Sequence, residues 1–525
     1  MEQQPVSLSP LAESLIRAFE INKSILEGKR ISVNPFVATV ASWYEKIRNA
    51  MDYREDEVIL RAAIERILKR RLLFGGNPEN VAEPLVRELV WARYFADETV
   101  PEAIVEKVKK RISLFLVLRE KLLASKFLKE SAVNEWIYQL LSADLERLLY
   151  PNKELEIMSN FMYQVMRNMV HIEDDTEQTR DVQVFIAVRR AFAREDIAFL
   201  RFHLFSQLFG TLTQENLDAI VAAFQKGYEE IHYQLSYPRK DTIYNYMKKK
   251  AAVFFILDEL LRTHKKGIRE LLSEKDEFKK IIFTICDTKY NTIASKVQRA
   301  IIRSAIFIIL TKAIFAFAVE GTLENVFYGE IIWGSMVINI LIPPLLMIVV
   351  GVMIRPPKQS NSEKILTYIS TVLTEEDPQI GSHLSIRKVP LRSRPVLNGV
   401  FTLLWMGAFL VAFGSIIYFL TKLNFPPINQ IIFIFFLAIV SFLSYRISLI
   451  PLTYKVEDKP GLITPLVDFL FLPIIRVGRN LTEGISQINI FLFLFDFIIE
   501  TPFKGFFGFI EQWFLFLHAK RENLG

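Results

Sequence analysis

Four apolar stretches in the second half of the chain, at about Ile301 to Val319, Ile331 to Ile354, Val396 to Leu420 and Ile428 to Ile450, constrain its fold most. A helix needs about 20 residues to cross roughly 30 Å of hydrocarbon, and each stretch meets or nearly meets that length. The composition fits a chain only partly in lipid: 51% of the 525 residues are hydrophobic and the mean hydropathy is +0.24, yet 23% are charged. Most of that charge precedes the first stretch.

Flanking charges predict the orientation. The connection before the second stretch carries Glu320, Glu324 and Glu330 without Lys or Arg. The connection after it carries Arg355, Lys358, Lys364, Arg387, Lys388, Arg392 and Arg394. The positive-inside rule puts the acidic connection outside and the basic one in the cytoplasm. Lys289, Lys296 and Arg299 before the first stretch, and Lys455, Lys459, Arg476 and Arg479 after the fourth, also belong inside. The reading is an integral protein of the plasma or inner membrane with both termini cytoplasmic.

Residues 1–295 read as an all-α cytoplasmic domain. The N-terminus lacks a basic segment followed by an apolar core, and a lone Cys286 permits no internal disulfide. In "EVILRAAIERILKRRLLFGG" the residues Ile59, Ala63, Ile64, Ile67 and Leu68 recur at helical spacing. Thr99 and Glu102 suggest a capping box, with Pro101 in the first turn of the helix that follows. Further helices are predicted at about 131–149, 153–170, 178–209, 214–235, 241–264 and 266–283, and strand alternation is nowhere sustained. Residues 296–455 then form the four-span membrane domain.

Residues 456–525 read as an amphipathic helical tail. In "FLFLFDFIIETPFKGFFGFIEQWFLFLHAK", Asp496, Glu500, Lys504, Glu511 and His518 fall on one narrow stripe of a phenylalanine-rich surface. Each Asp or Lys near a bilayer centre costs roughly 2.5 to 3.5 kcal/mol, so an interfacial position is expected and docking inside the bundle is the alternative.

The search for chemistry finds no catalytic constellation and no cofactor motif. Glu229 and His232 have metal-ligand spacing without a second copy, so a solvated helix face is the reading. The acids of "HIEDDTEQTRD" lack the order of a calcium loop, and Asp175 or Thr176 is expected to cap the next helix. The basic clusters at Lys69, Arg70 and Arg71 and at Lys107, Lys109, Lys110 and Arg111 read as solvated faces. With no reading motif and a net charge of only +6, nucleic acid is not an expected partner.

Within the spans, Lys312 lies about nine residues, or roughly 14 Å, beyond Arg303, too far for easy snorkelling. Pro343-Pro344 should kink or break the second span, and Asn339 or Ser415 is a candidate polar neighbour of the lysine. Arg387, Lys388, Arg392, Arg394, Arg476 and Arg479 are candidate contacts to anionic lipid headgroups. The expected function is a membrane-anchored interaction or scaffolding module that takes an unidentified protein partner. The alternative is a small-solute or ion transporter using Lys312 and the proline pair; an enzyme ranks third.

Overall fold

The computed structural model describes residues 8–20, 29–51, 58–73, 77–265, 267–330, 333–388, 395–456 and 464–486, with short pieces between 505 and 517. Asp496, Glu500, Lys504, Glu511 and His518 of the tail, together with Arg392 and Arg394, lie outside the described residues. The chain is predominantly helical and divides into two compact units. One comprises Pro10–Lys248, Gly381–Lys388 and Phe493–Gly525, and the other Met1–Ser9, Lys249–Ile380 and Val389–Leu492. The division thus falls at Lys248, ahead of the hydropathy change near 295.

The first, helical unit contains α1 (Pro10–Glu20), α2 (Pro35–Met51), α3 (Ile59–Leu73), α4 (Pro78–Trp91), α5 (Ala103–Ser125), α6 (Glu130–Leu149) and α7 (Lys153–Met166). After β1 (Val170–Ile172) come α8 (Glu177–Val188), α9 (Ile197–Phe209), α10 (Leu217–Leu235) and the start of α11 (Lys240–Thr263). Its core forms where helical spacing lines up large apolar side chains. In α6, Val133, Trp136, Ile137, Leu140, Leu141 and Leu145 are buried, each such side chain contributing about 1.5 to 3 kcal/mol. The Trp136 ring lies 4.8 Å from that of Tyr228 and 5.6 Å from that of Phe224 on α10, fastening the two helices.

Polar caps set the helix starts. The side chains of Asn77, Asn152, Thr176 and Asp196 accept from backbone amides at the beginnings of α4, α7, α8 and α9. Thr176 thereby takes the role its sequence position suggests. The capping box at Thr99 does not form: α5 starts at Ala103, its N-cap Glu102 makes no side-chain cap bond, and Thr99 Oγ1 donates to Ala96 O at 2.6 Å. The single helix predicted over 178–209 is split by a π-turn at Arg189–Ala193 and by Arg194 at φ 54°, before Asp196 starts α9.

A short parallel sheet is the element that periodicity could not reveal. β1 pairs with β2 (Leu384–Ile386), Val170 facing Leu384 and Ile172 facing Ile386. Three residues per strand leave no alternation to read. The strand from the long connection is held by its flanks. Lys388 Nζ lies 3.1 Å from Asp175 Oδ2, Arg387 Nε donates to Glu173, and Tyr246 Oη donates to Ser382 O at 2.7 Å.

The second, membrane unit contains the rest of α11, then α12 (Ile268–Ser273), α13 (Lys275–Phe315), α14 (Gly321–Tyr328), α15 (Trp333–Met353) and α16 (Gln359–Thr374). α17 (Pro395–Lys422), α18 (Pro427–Ser448) and α19 (Thr464–Ser486) complete it. Among the described residues, four helical segments are long and apolar enough to cross a membrane: Lys275–Tyr328, Trp333–Met353, Val396–Lys422 and Pro427–Tyr454. All four overlap a stretch identified from sequence, although the first continues well past Val319. Large apolar side chains such as Leu410, 76% exposed, and Val352, 78% exposed, face outward, as lipid-facing residues do.

Two glycines permit close helix approach. A Cβ at Gly351 on α15 would come within 2.5 Å of Ile301 on α13. A Cβ at Gly478 on α19 would come within 1.9 Å of the Ala438 carbonyl oxygen on α18. The described middle of α19 therefore packs on a span. Ile474 joins Ala412 and Ala438 in one cluster, the bundle-docked arrangement that the sequence leaves as the alternative for this part of the tail.

Candidate functional site

The first span continues beyond its apolar run because its helix does not end there. A π-turn over Ala316–Glu320 joins α13 directly to α14. Lys312, Ala316, Glu320 and Glu324 recur every four residues, and all four are buried. In a regular α-helix such a series drifts around the axis; the extra residue of a π-turn absorbs the drift and keeps the charges on one face. Glu320 and Glu324, which the sequence places in the connection expected outside the membrane, are both 0% exposed, whereas Glu330 is exposed.

These acids meet polar residues of the second and fourth spans. Lys312 Nζ lies 3.9 Å from Glu320 Oε2 and 4.1 Å from the centroid of the Phe436 ring. Asn339 Nδ2 on α15 donates to Glu320 Oε1 at 2.5 Å. Asn429 Nδ2 on α18 donates to Glu324 and, at 2.8 Å, to Ser335 Oγ, which in turn donates to Glu324 Oε1 at 3.3 Å. Lys312, Glu320, Glu324, Asn339 and Asn429 are all 0% exposed. The cluster therefore joins three helices through paired charge and amide hydrogen bonds, an arrangement strengthened by the low dielectric around it.

Five of the residues marked from sequence can now be placed. Lys312 and Asn339 share the cluster, but through Glu320 and not by direct contact. Ser415 takes no part: its hydroxyl bonds back to Val411 O on its own helix. Pro343 and Pro344 are buried within α15, which runs from Trp333 to Met353 without the break that is one of the two expected effects, the other being a kink. The pair lies one turn from Asn339.

The candidate headgroup residues divide. Arg387 and Lys388 pair with Glu173 and Asp175 of the helical unit, and Lys388 also sits 5.1 Å from the Tyr233 ring centroid. Arg476 and Arg479 are exposed on α19, with the Arg476 guanidinium 5.7 Å from the Trp405 ring centroid.

The helical unit holds a second charged cluster that sequence reasoning missed. At the break between α8 and α9, the Arg189 guanidinium is buried and donates to Glu156 Oε2 at 2.9 Å and to Glu195 Oε2 at 2.8 Å. His203 Nε2 lies 2.6 Å from Arg189 Nη2. Glu156, Glu195 and His203 place one potential ligand atom each within 4.8 Å of one another, the geometry of a metal site. The guanidinium already supplies the cation there, so the residues fit an ion-pair network better than a metal.

Burial alone would raise the Glu195 carboxyl, but Arg189 and His203 hold it down at about 2. Glu146, beside the same network, behaves in the opposite way: burial pushes it up to about 8, and its Oε2 has no hydrogen-bond partner among the described residues. Both carboxylates line a cleft of about 640 Å³ with Glu156, Arg147 and Lys153.

Most other sequence signals resolve as structure. Glu229 accepts from Gln225 at 3.1 Å and His232 stacks on Tyr228, apart from any metal-ligand group among the described residues. Lys69 pairs with Glu65, and Arg70 and Arg71 pair with Glu88. Cys286 is buried. No protein family, curated protein or solved structure matches this chain.

Proposed function

We propose that this chain is a membrane-anchored interaction module, whose spans hold the helical unit at the cytoplasmic face of a plasma or inner membrane. Four long apolar helices support the membrane reading. The observation that carries the anchor over the transporter is the state of the intramembrane charge. Lys312 and Glu320 are sealed and paired within one helix, and α15 passes through Pro343-Pro344 without a break. Both features that suggested a pathway then serve to specify how three spans pack.

A protein partner is supported by α2, where Phe36 is 61% exposed and Trp43 is 66% exposed, seven residues apart on one face. Arg476 and Arg479 remain candidates for anionic headgroups. Neither an enzyme nor a nucleic-acid binder forms part of this proposal.

A proton pathway is the second reading, favoured by one observation: Lys312 Nζ, Glu320 Oε2, Asn339 Oδ1 and Asn429 Oδ1 make no hydrogen bond among the described residues. Reconstitution of the full chain in liposomes carrying a pH-sensitive dye separates the two. The anchor predicts proton flux equal to that of empty vesicles. Flux that disappears in a Lys312→Met/Glu320→Gln variant of unchanged abundance would establish the pathway instead.

A further inference from the structure

Where the C-terminal ends of α15 and α18 meet the start of α16, a cleft of about 710 Å³ is lined by four cations, Arg355, Lys358, Lys364 and Lys455. Among the described residues, no Asp or Glu lines it. It shares Ile354, Pro356 and Pro451 with a second cleft of about 630 Å³, whose wall is apolar except for Gln298. That wall includes Ile302, Ile306, Ile348 and Val352, which are 50%, 53%, 46% and 78% exposed. An apolar trough along the spans thus opens into a basic chamber at their ends.

We propose that the two clefts together bind one anionic glycerophospholipid. An acyl chain lies along the isoleucine wall, and the headgroup phosphate sits among Arg355, Lys358, Lys364 and Lys455. The apolar trough gives affinity for a chain in proportion to the methylenes it covers. The chamber selects the headgroup: an anionic phosphate gains from every cation, whereas a zwitterionic lipid brings an ammonium group to a wall without a carboxylate to receive it. None of the four cations belongs to the set that sequence alone singles out for headgroups. The proposal rests on α13, α15 and α18 being spans and is independent of the partner-docking reading.

The test loads the full-length chain, purified in detergent, with phosphatidylglycerol or phosphatidylcholine, and reads retained lipid by native mass spectrometry. The expected result is one phosphatidylglycerol held in preference to phosphatidylcholine. Arg355→Gln/Lys358→Gln/Lys455→Gln should weaken retention by roughly a hundredfold. Ala294→Trp, which fills the apolar trough, should abolish it. Lys296→Gln/Arg299→Gln, on α13 outside both linings, should leave it unchanged. Equal retention of the two lipids, undiminished binding by the triple variant, or an equal loss in the α13 control would overturn the site. Melting temperature without lipid checks folding, and should the triple variant melt early, Lys358→Gln and Ala294→Trp decide by the same criterion. A chain that stays dispersed without detergent would count against the spans themselves.

Discussion

Glu320 comes to 3.9 Å from Lys312 across one π-turn of a continuous helix, and neither side chain reaches solvent. Removing one member should cost far more than removing both. Lys312→Leu leaves the Glu320 carboxylate without its cation and should destabilise the full chain by about 3 to 5 kcal/mol. Lys312→Met/Glu320→Gln keeps an acceptor for Asn339 and should recover most of the loss. Thermal melts of both variants in one detergent measure the difference. A double variant no more stable than the single one would mean the pair is not coupled.

The two carboxylates beside the cleft in the helical unit should give slopes of stability against pH that are opposite in sign, one below about pH 4.5 and one above it. Glu195 is held at about 2, below its ordinary 4.5, so the unfolded chain binds more protons between those values. Its contribution, roughly 3 kcal/mol, is present above about pH 4.5 and lost as pH falls toward 2. Glu195→Gln should flatten that acid limb of stability against pH while lowering stability at neutral pH.

Glu146 works the other way. With its folded value raised to about 8, the folded chain holds the proton more tightly than the unfolded one, and stability declines as pH rises from about 4.5 to 8. Glu146→Gln should therefore leave the melting temperature unchanged near pH 4 and raise it at pH 7. A variant that is less stable at both values would point to a paired, ionised Glu146.

The approach of α19 to α18 allows no side chain at Gly478, where a Cβ would meet the Ala438 carbonyl oxygen at 1.9 Å. A cysteine pair replacing Ala438 and Ile474 should cross-link in the otherwise native chain. Adding Gly478→Val should abolish the cross-link by pushing the helices apart. Persistent cross-linking would show that α19 can tilt to accommodate the branch.

Orientation can be tested at two exposed positions. With Glu324 buried, Glu330 is the usable reporter for the connection expected outside, and Gln379 for the one expected in the cytoplasm. Cysteines there should label from opposite sides of the membrane. External labelling of Gln379 would reverse the topology.

The spans were legible because length and hydropathy need no tertiary context, and Lys312 stood out as a charge within an apolar run. Its partners did not. Glu320 and Glu324 follow the run as acids and read as its end, although their four-residue steps from Lys312 carried the signal of a shared face. Arg189, Glu156, Glu195 and His203 sit on separate amphipathic helices, and nothing in the local pattern distinguishes an inward charge from a solvated one. The π-turn that aims Arg189 inward appears in the sequence only as part of an uninterrupted helical segment.

The pairing of Val170–Ile172 with Leu384–Ile386 also sets an order of events during synthesis. Chains emerge from the ribosome N-terminus first, so β1 is made long before its partner. By the time Ile386 appears, two of the four long apolar helical segments, Lys275–Tyr328 and Trp333–Met353, have already been translated. The helical unit can therefore close its sheet only after both of those helices have been made.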